Sequence, residues 1–392
     1  MQIRFLLSFF ASFIYLGTYS QSLVFNHVKT PQGLSHSSVN AIYQDEFNQM
    51  WIATRDGLNR YDGYKIEVFR PVLDDVNGIF GNNIQRVTGD KKGRIYLQCM
   101  AGLVTYDLRN QQFKVIQRDS VRFIGYGKSR LWIASHNQIN YLNPGEEVIR
   151  NYSRLDPSVN ITSITEDPFS NLYVGTQSHG LMMIDGNGRS TVLIKDISVM
   201  CIFVDKQQRI WVGTLNSGLY CIDSKGMITH YSHDEQNKES IPNNYVRTIC
   251  QDDLGYFWIG TYGGLARLDP ETKKFKQFKY TSFDSYSIGS SSIWSITKDV
   301  HGLLWIGTFF GGIDIINPEF SFNSYYRPSI DNKGLNSSIV SNVSEDAEGN
   351  LWVGTDDAGL NYFDRAKGTF SHYTHDPANP HSISSNAIKT TF

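Results

Sequence analysis

Apolar and polar positions follow one cadence along most of the chain. A V-x-x-I-x-x-D run leads to a turn of the form D-x-x-G, then to L-W-I-G-T, then to G-L-x-x-Y-D. It is clearest where Val246-Arg-Thr-Ile249 precedes Asp252, Gly255, Trp258-Ile-Gly-Thr261 and Gly264-Leu265. Residues 39–62, 293–313 and 340–364 repeat it. Runs of five or six β-branched and aromatic residues, bounded by Gly, Asp and Asn, predict strands rather than helices. Each unit divides into four of them, here called A to D. Strand D is read at Phe275-Lys-Gln-Phe278 and Phe370-Ser-His-Tyr373. Apolar residues on both sides of strands A and B predict a sheet covered on both faces.

One aromatic residue marks strand B of each unit: Trp51, Tyr96, Trp132, Tyr173, Trp211, Trp258, Trp305 and Trp352. Their spacings of 45, 36, 41, 38, 47, 47 and 47 average 43 residues. That is the period of a four-stranded propeller blade, and it is too long for a helical repeat of roughly 34. The fold class expected is all-β: a β-propeller of four-stranded antiparallel blades, which the resemblance given below divides into a seven-bladed β-propeller plus the first blade of a second, incomplete propeller. The strand-B aromatic is expected to pack between adjacent sheets, and the Gly two residues on to let a neighbouring backbone approach. In the turn, Asp should accept backbone N–H bonds and Gly should take a positive φ. The turn differs from the sialidase Asp box, which has a Ser and one residue fewer between Asp and Gly. One carboxylate per turn is also too few for the 6–8 oxygens calcium takes.

The segment Leu23-Val-Phe-Asn-His-Val28 reads as a strand D without a blade of its own. It is expected to complete blade seven, so that both ends of the ring share one sheet. Residues 322–326 read similarly and would serve either a second ring or blade seven. The expected division is a signal peptide at 1–20, a ring over 21–327 and the start of a truncated second propeller at 328–392. Residues 381–388 look like the entry into a further strand A.

The recurring G-x-L-W-[IV]-G-T-x-x-G-[LI]-x-x-[YIL]-D/N resembles the two-component-regulator propeller repeat. Such repeats build the exported sensor regions of hybrid two-component regulators in gut Bacteroidetes. The resemblance implies two seven-bladed propellers, an immunoglobulin-like domain, a membrane helix and a histidine kinase, in that order. By that pattern Gly307 to Phe320 closes the first propeller. Phe392 falls inside the second, so a fragment or truncated product is implied. The partners implied are the rest of the second propeller and a downstream kinase module, and association as a homodimer stays open.

Composition narrows the function. The 392 residues are 40% hydrophobic and 13% aromatic, which excludes disorder. A net charge of −2 with no basic stretch argues against a nucleic-acid partner. Arg4, the apolar run 5–16 and the small residues Thr18 and Ser20 form a secretory signal, so the expected location is the periplasm. No later run is long enough for a membrane segment. Cys99, Cys201, Cys221 and Cys250 lie in strand-like runs and are expected as four buried free thiols. His230/His233 and His372/His375 stand three apart, which on a strand points them to opposite faces. They read as repeat consensus rather than a zinc site, and no metal or other cofactor is expected.

Strand alternation puts the B–C and D–A loops on one rim, and that rim has the longer loops: 70–81, 232–243, 281–290 and 327–336. Binding concentrates on such loops. The B–C loops carry Arg55, Asp56, His136, Asn137, Gln177, His179, Asn216, Tyr262, Phe309 and Phe310. Aromatic faces beside amides and charges suit a saccharide, whose C–H faces stack while its hydroxyls are hydrogen-bonded. Tyr262, Phe309 and Phe310 are the expected platform, with Arg55, His179 and Asn216 as polar neighbours. The competing reading packs these rings against the second propeller. The expected function is a non-catalytic sensor of a glycan-derived oligosaccharide that signals to the kinase. The runner-up is a propeller-fold carbohydrate-active enzyme, a glycosidase or lyase. A glycosidase needs two carboxylates ~5–9.5 Å apart. Asp56, Asp284, Asp356 and Asp357 are available, and no spacing pairs them.

Overall fold

A computed structural model describes residues 23–391, apart from 73, 74, 76, 77, 101, 283, 285 and 320–333. Among the described residues the apolar runs form strands, and no α-helix occurs. One unit covers Leu23–Phe320 and holds seven four-stranded antiparallel sheets. Their strands A are Val39–Gln44, Ile84–Gly89, Phe123–Tyr126, Ile161–Glu166, Val199–Val204, Val246–Gln251 and Ile293–Lys298. Each packs against the next and the last packs against the first, so the sheets close into a seven-bladed ring with strands A inside.

The strand-B aromatics sit between blades. Trp51 is fully buried with Ile84, Val87, Ile95, Leu97 and Tyr106 of the second blade. Trp258 is buried with Ile293, Ile296 and Leu304 of the seventh. An indole N–H in such a place needs an acceptor, and the turn Asp six residues earlier supplies it. Trp51, Trp211, Trp258 and Trp305 donate to Asp45, Asp205, Asp252 and Asp299 at 2.8, 2.9, 2.7 and 2.9 Å. The other oxygen of Asp45 accepts the N–H groups of Phe47 and Gln49, each at 2.9 Å. The Asp therefore closes the turn, as the sequence implies, and also anchors the ring between sheets. Tyr173 keeps the pattern by donating its hydroxyl to Asp167 at 3.2 Å. Trp132 has Tyr126 where the Asp should be, and its indole donates instead to Glu166 of the next blade at 3.0 Å.

The Gly after the aromatic faces mainly side chains, and at Gly213 also the Val246 backbone O of the next blade, 3.0 Å from a Cβ placed there. A Cβ at Gly213 would lie 2.7 Å from Val246 Cγ1, and at Gly260 2.7 Å from Ile293 Cγ2. The first residue of the next strand A is β-branched and leans into that gap, which is why a methyl group is excluded. The cysteines are free; Cys99 and Cys221 are buried, but Cys201 and Cys250 are only half-buried, against the expectation of four buried thiols. Burial pushes the Cys221 and Cys250 thiols up to about 11.

Asn26–Val28 supplies the fourth strand of the seventh blade, pairing antiparallel with residues 313–315. Phe25, at 2% exposure, meets Phe278 of the sixth blade edge-on at 5.9 Å. His27 Nδ1 lies 2.6 Å from the Oδ1 of fully buried Asp314, whose Oδ2 accepts the Gly289 N–H at 2.8 Å. Burial raises the Asp314 carboxyl above its ordinary range, while the bonds from His27 and Gly289 pull it back down.

The second unit contains one sheet of the same kind, with strands Val340–Glu345, Leu351–Thr355, Leu360–Asp364 and Thr369–Tyr373. Val343 is 56% exposed, where Ile249 at the same repeat position is 8% exposed. Ile388 donates its N–H to Thr355 O at 2.8 Å and lies over Gly354 as Ile293 lies over Gly260. It thus takes the place against Gly354 that the first residue of strand A takes in the ring, though no strand forms at 386–391. The signal segment and residues 322–326 lie outside the described residues.

Asp252→Ala strands the Trp258 indole and the Tyr256 N–H, and should cost about 2–4 kcal/mol in urea unfolding. A loss below about 0.5 kcal/mol would show that water replaces the carboxylate. Asp314→Ala should speed amide exchange at residues 26–28 and 313–316 while leaving the second blade unchanged. Uniform exchange across the ring would contradict a local clamp.

Candidate functional site

In six of the ring's seven blades strand A carries a β-bulge at its start. The register slips between Val39 and Ala41, Ile84 and Arg86, Ile161 and Ser163, Val199 and Cys201, Val246 and Thr248, and Ile293 and Ser295. A bulge re-aims the extra side chain. Its neighbours at the first position, such as Val246 and Ile293, are fully buried between blades. Most of the skipped residues, including Asn40, Gln85, Met200, Arg247 and Trp294, line the central cavity of about 800 Å³. The bulge lies where the D–A loop enters strand A, on the same rim as the B–C loops.

On that rim one continuous stack of rings and guanidinium groups forms. Tyr262 stacks on Tyr245 at 6.2 Å and 14°. The Arg247 guanidinium lies 4.5 Å from the Tyr245 ring and 4.4 Å from the Trp294 ring. Trp294 stacks on Phe309 at 4.9 Å and 23°. Arg55 lies 4.6 Å from Phe309 and 5.3 Å from Trp294, and Phe310 meets Phe309 edge-on at 4.0 Å. Arg247 also donates to the Tyr245 hydroxyl at 2.8 Å. Burial holds the Arg247 guanidinium below its ordinary range, and neighbouring Arg55 adds to this. Tyr262 and Phe310 remain 58% and 66% exposed.

Of the expected residues, Arg55, Tyr262, Phe309 and Phe310 thus come together. His179 and Asn216 do not join them. His179 stands in the fourth-blade loop, 3.3 Å from Ser158 Oγ and 3.2 Å from Ser178 Oγ. Asn216 is exposed in the fifth-blade loop. Gln177 is exposed beside His179, its N–H bonded to Asn160 O at 2.9 Å. His136 and Asn137 line a separate polar cavity of about 860 Å³, with Asp119, Glu147, Arg122 and Arg154. Asp56 is held by Arg70 at 3.0 Å and Asn82 at 2.8 Å. Sequence reasoning missed Tyr245, Arg247 and Trp294. The available signal was the first x of V-x-x-I, which changes from blade to blade (Asn, Gln, Arg, Thr, Met, Arg, Trp) while the V and I positions stay Val or Ile.

The histidine pairs act within their own repeats. His233 Nδ1 lies 2.7 Å from Ile241 O, and His375 Nδ1 lies 2.8 Å from Ile383 O. Both fold the D–A loop in the same way, as a repeat position does.

The family model for the two component regulator propeller matches residues 33–56, 193–216, 240–263 and 334–357. A histidine kinase of Formosa agariphila is 40% identical over 74 residues, which is 19% of this chain and 5% of that protein. Among solved structures, the extracellular domain assigned to a hybrid two component system of B. thetaiotaomicron aligns over 93% of this chain with a TM-score of 0.72 and 26% identity. The chain spans 50% of that structure. A second such domain from the same organism aligns over 92% of this chain and 55% of its own, with a TM-score of 0.64. Its 20% identity speaks for the fold alone. The chain thus carries four matched two component regulator propeller repeats, three of them on its seven-bladed ring and one in the second unit.

Proposed function

We propose that this chain is the ligand-sensing, exported part of a hybrid two-component regulator. It detects a glycan-derived oligosaccharide on the rim where the central cavity opens, and passes the bound state to a histidine kinase module beyond the residues present here. The observation that carries this reading is the stack of Tyr262, Tyr245, Arg247, Trp294, Phe309 and Arg55 beside an open cavity. Ring faces offer a sugar's C–H face a dispersion partner, and the guanidinium edges offer its hydroxyls donors. The stack is held from beneath by bulged strand starts, so it is formed before a ligand arrives and little ordering entropy opposes binding. The kinship with extracellular domains supports a periplasmic location, as does the apolar leader read at residues 1–20.

The cavity lining favours recognition over hydrolysis. It carries a single carboxylate, Glu166, and that group is already engaged by the Trp132 indole and the Lys128 N–H, each at 3.0 Å. Hydrolysis by the usual pair of carboxylates would need a second one facing the first.

Calorimetry of the full chain against plant and host oligosaccharides tests the proposal. Binding without product is expected. Tyr262→Ala should weaken it roughly tenfold, the loss of about 1.4 kcal/mol of stacking, with the melting temperature nearly unchanged. Release of a cleaved product would replace the sensor with an enzyme. A collapse in stability would place Tyr262 in the core.

A further inference from the structure

We infer that the saccharide taken by this rim is acidic, carrying carboxylate or sulfate groups, and that Arg55, Arg122 and Arg247 at the cavity mouth read them. The inference rests on the oligosaccharide reading above and adds the ligand's charge to it.

Four arginines line the central cavity: Arg55, Arg86, Arg122 and Arg247. Glu166 is the one acidic residue among them, and it lies at the far end of its strand A, away from the bulges. A chain with a net charge of −2 thus concentrates positive charge inside its own ring. Low-dielectric walls around such a cluster focus its field outward through the opening.

Arg60, Arg70, Arg150, Arg209 and Arg365 each meet a carboxylate. Among the described residues the cavity arginines form no such ion pair, and three of them rest on rings, as Arg130 and Arg267 do elsewhere. Arg55, Arg86 and Arg247 rest on the faces of Phe309, Phe123 and Trp294, at 4.6, 4.5 and 4.4 Å. Stacking on a ring fixes a guanidinium plane but leaves its edge N–H groups unspent, and that fork matches carboxylate and sulfate oxygens. The Nε–H of Arg247 is buried without a partner, a cost a bound anion would remove. Burial lowers the affinity of both Arg86 and Arg247 for their protons, and no carboxylate of the chain offsets it. Arg122, exposed at the mouth, adds a further charge without touching the stack. Two desolvated cations, Arg86 and Arg247, with Arg55 and Arg122 exposed nearby, are costly to fold, and an anionic ligand turns that cost into affinity.

The polar cavity on the third blade, which Arg122 also borders, lacks this bias, because Asp119 and Glu147 line it beside Arg122 and Arg154.

The test uses calorimetry on the full chain with three short oligosaccharide series: oligogalacturonates (carboxylate only), carrageenan oligomers (sulfate only) and galactan oligomers (neither). At least one acidic series should bind, the neutral series should bind at least tenfold more weakly, and added salt should weaken the acidic complex. Arg122→Gln and Arg247→Gln should each reduce acidic binding roughly tenfold, the scale of one charge-assisted contact. Arg122→Gln should leave the melting temperature unchanged, which guards against misfolding at the more buried Arg247. Which acidic series wins separates carboxylate from sulfate recognition. Tighter binding of galactan, or acidic binding indifferent to Arg122→Gln and to salt, would overturn the inference and leave the oligosaccharide reading standing. Binding by none of the three would overturn both.

Discussion

Each sheet of this ring must bury a large aromatic ring against the next sheet, and that ring has a polar edge which cannot be left bare. The architecture follows from meeting both demands at once. A carboxylate six residues upstream of the aromatic, in the turn between strands A and B, receives the indole N–H and closes the turn with its other oxygen. The shared group ties the hairpin to the interblade core. A one-residue slip would turn the indole to the wrong face and empty the carboxylate together. The irregular blades show that the constraint is on the acceptor. Tyr173 replaces Trp and still reaches Asp167, while Trp132 has lost its own Asp and borrows Glu166 from the following blade.

That constraint explains what could be read from the sequence. Asp, Trp and Gly recur at fixed spacing because each meets an equivalent neighbour in the next blade, so the repeat unit follows from periodicity, while the ring of seven and its closure by the segment holding Asn26 to Val28 needed the family pattern as well. The Gly partner was legible only in part, because spacing cannot reveal that Val246 and Ile293 reach across to Gly213 and Gly260 with side chains as well as, at Gly213, with backbone. The candidate site was half legible. Arg55, Tyr262, Phe309 and Phe310 lie in loops whose tips are predictable. Arg247 and Trp294 lie inside a strand, where alternation would assign them to an interblade face. A β-bulge breaks the alternation, and apolar patterning carries no sign of it. His179 lies two blades from the nearest stacked ring, and Asn216, though in the blade beside it, makes no contact with the stack among the described residues; rim position does not encode which side chains meet.

Consensus and variation therefore divide the labour. Positions that touch another blade are fixed by packing and repeat. The position ejected by the bulge touches no blade's core and is free to differ, and five of the six ejected side chains line the cavity. Asn40 and Thr162 use that freedom to bond to the neighbouring strand, at 2.7 Å to Ile84 O and 2.6 Å to Val199 O. Met200, Arg247 and Trp294 make no such backbone bond, and two of these three belong to the stack. A ring of this kind can change its ligand without disturbing its blades.

The central claim is that adjacent residues of strand A have separate duties, one holding the ring and the other facing the ligand. Thermal unfolding of matched alanine variants tests it most directly: Val199 against Met200, Val246 against Arg247, and Ile293 against Trp294. The first member of each pair should lose about 1–3 kcal/mol more than the second, because it alone vacates a packed interblade site. Equal losses within each pair would contradict the account, since the ejected side chains would then be part of what holds the ring together.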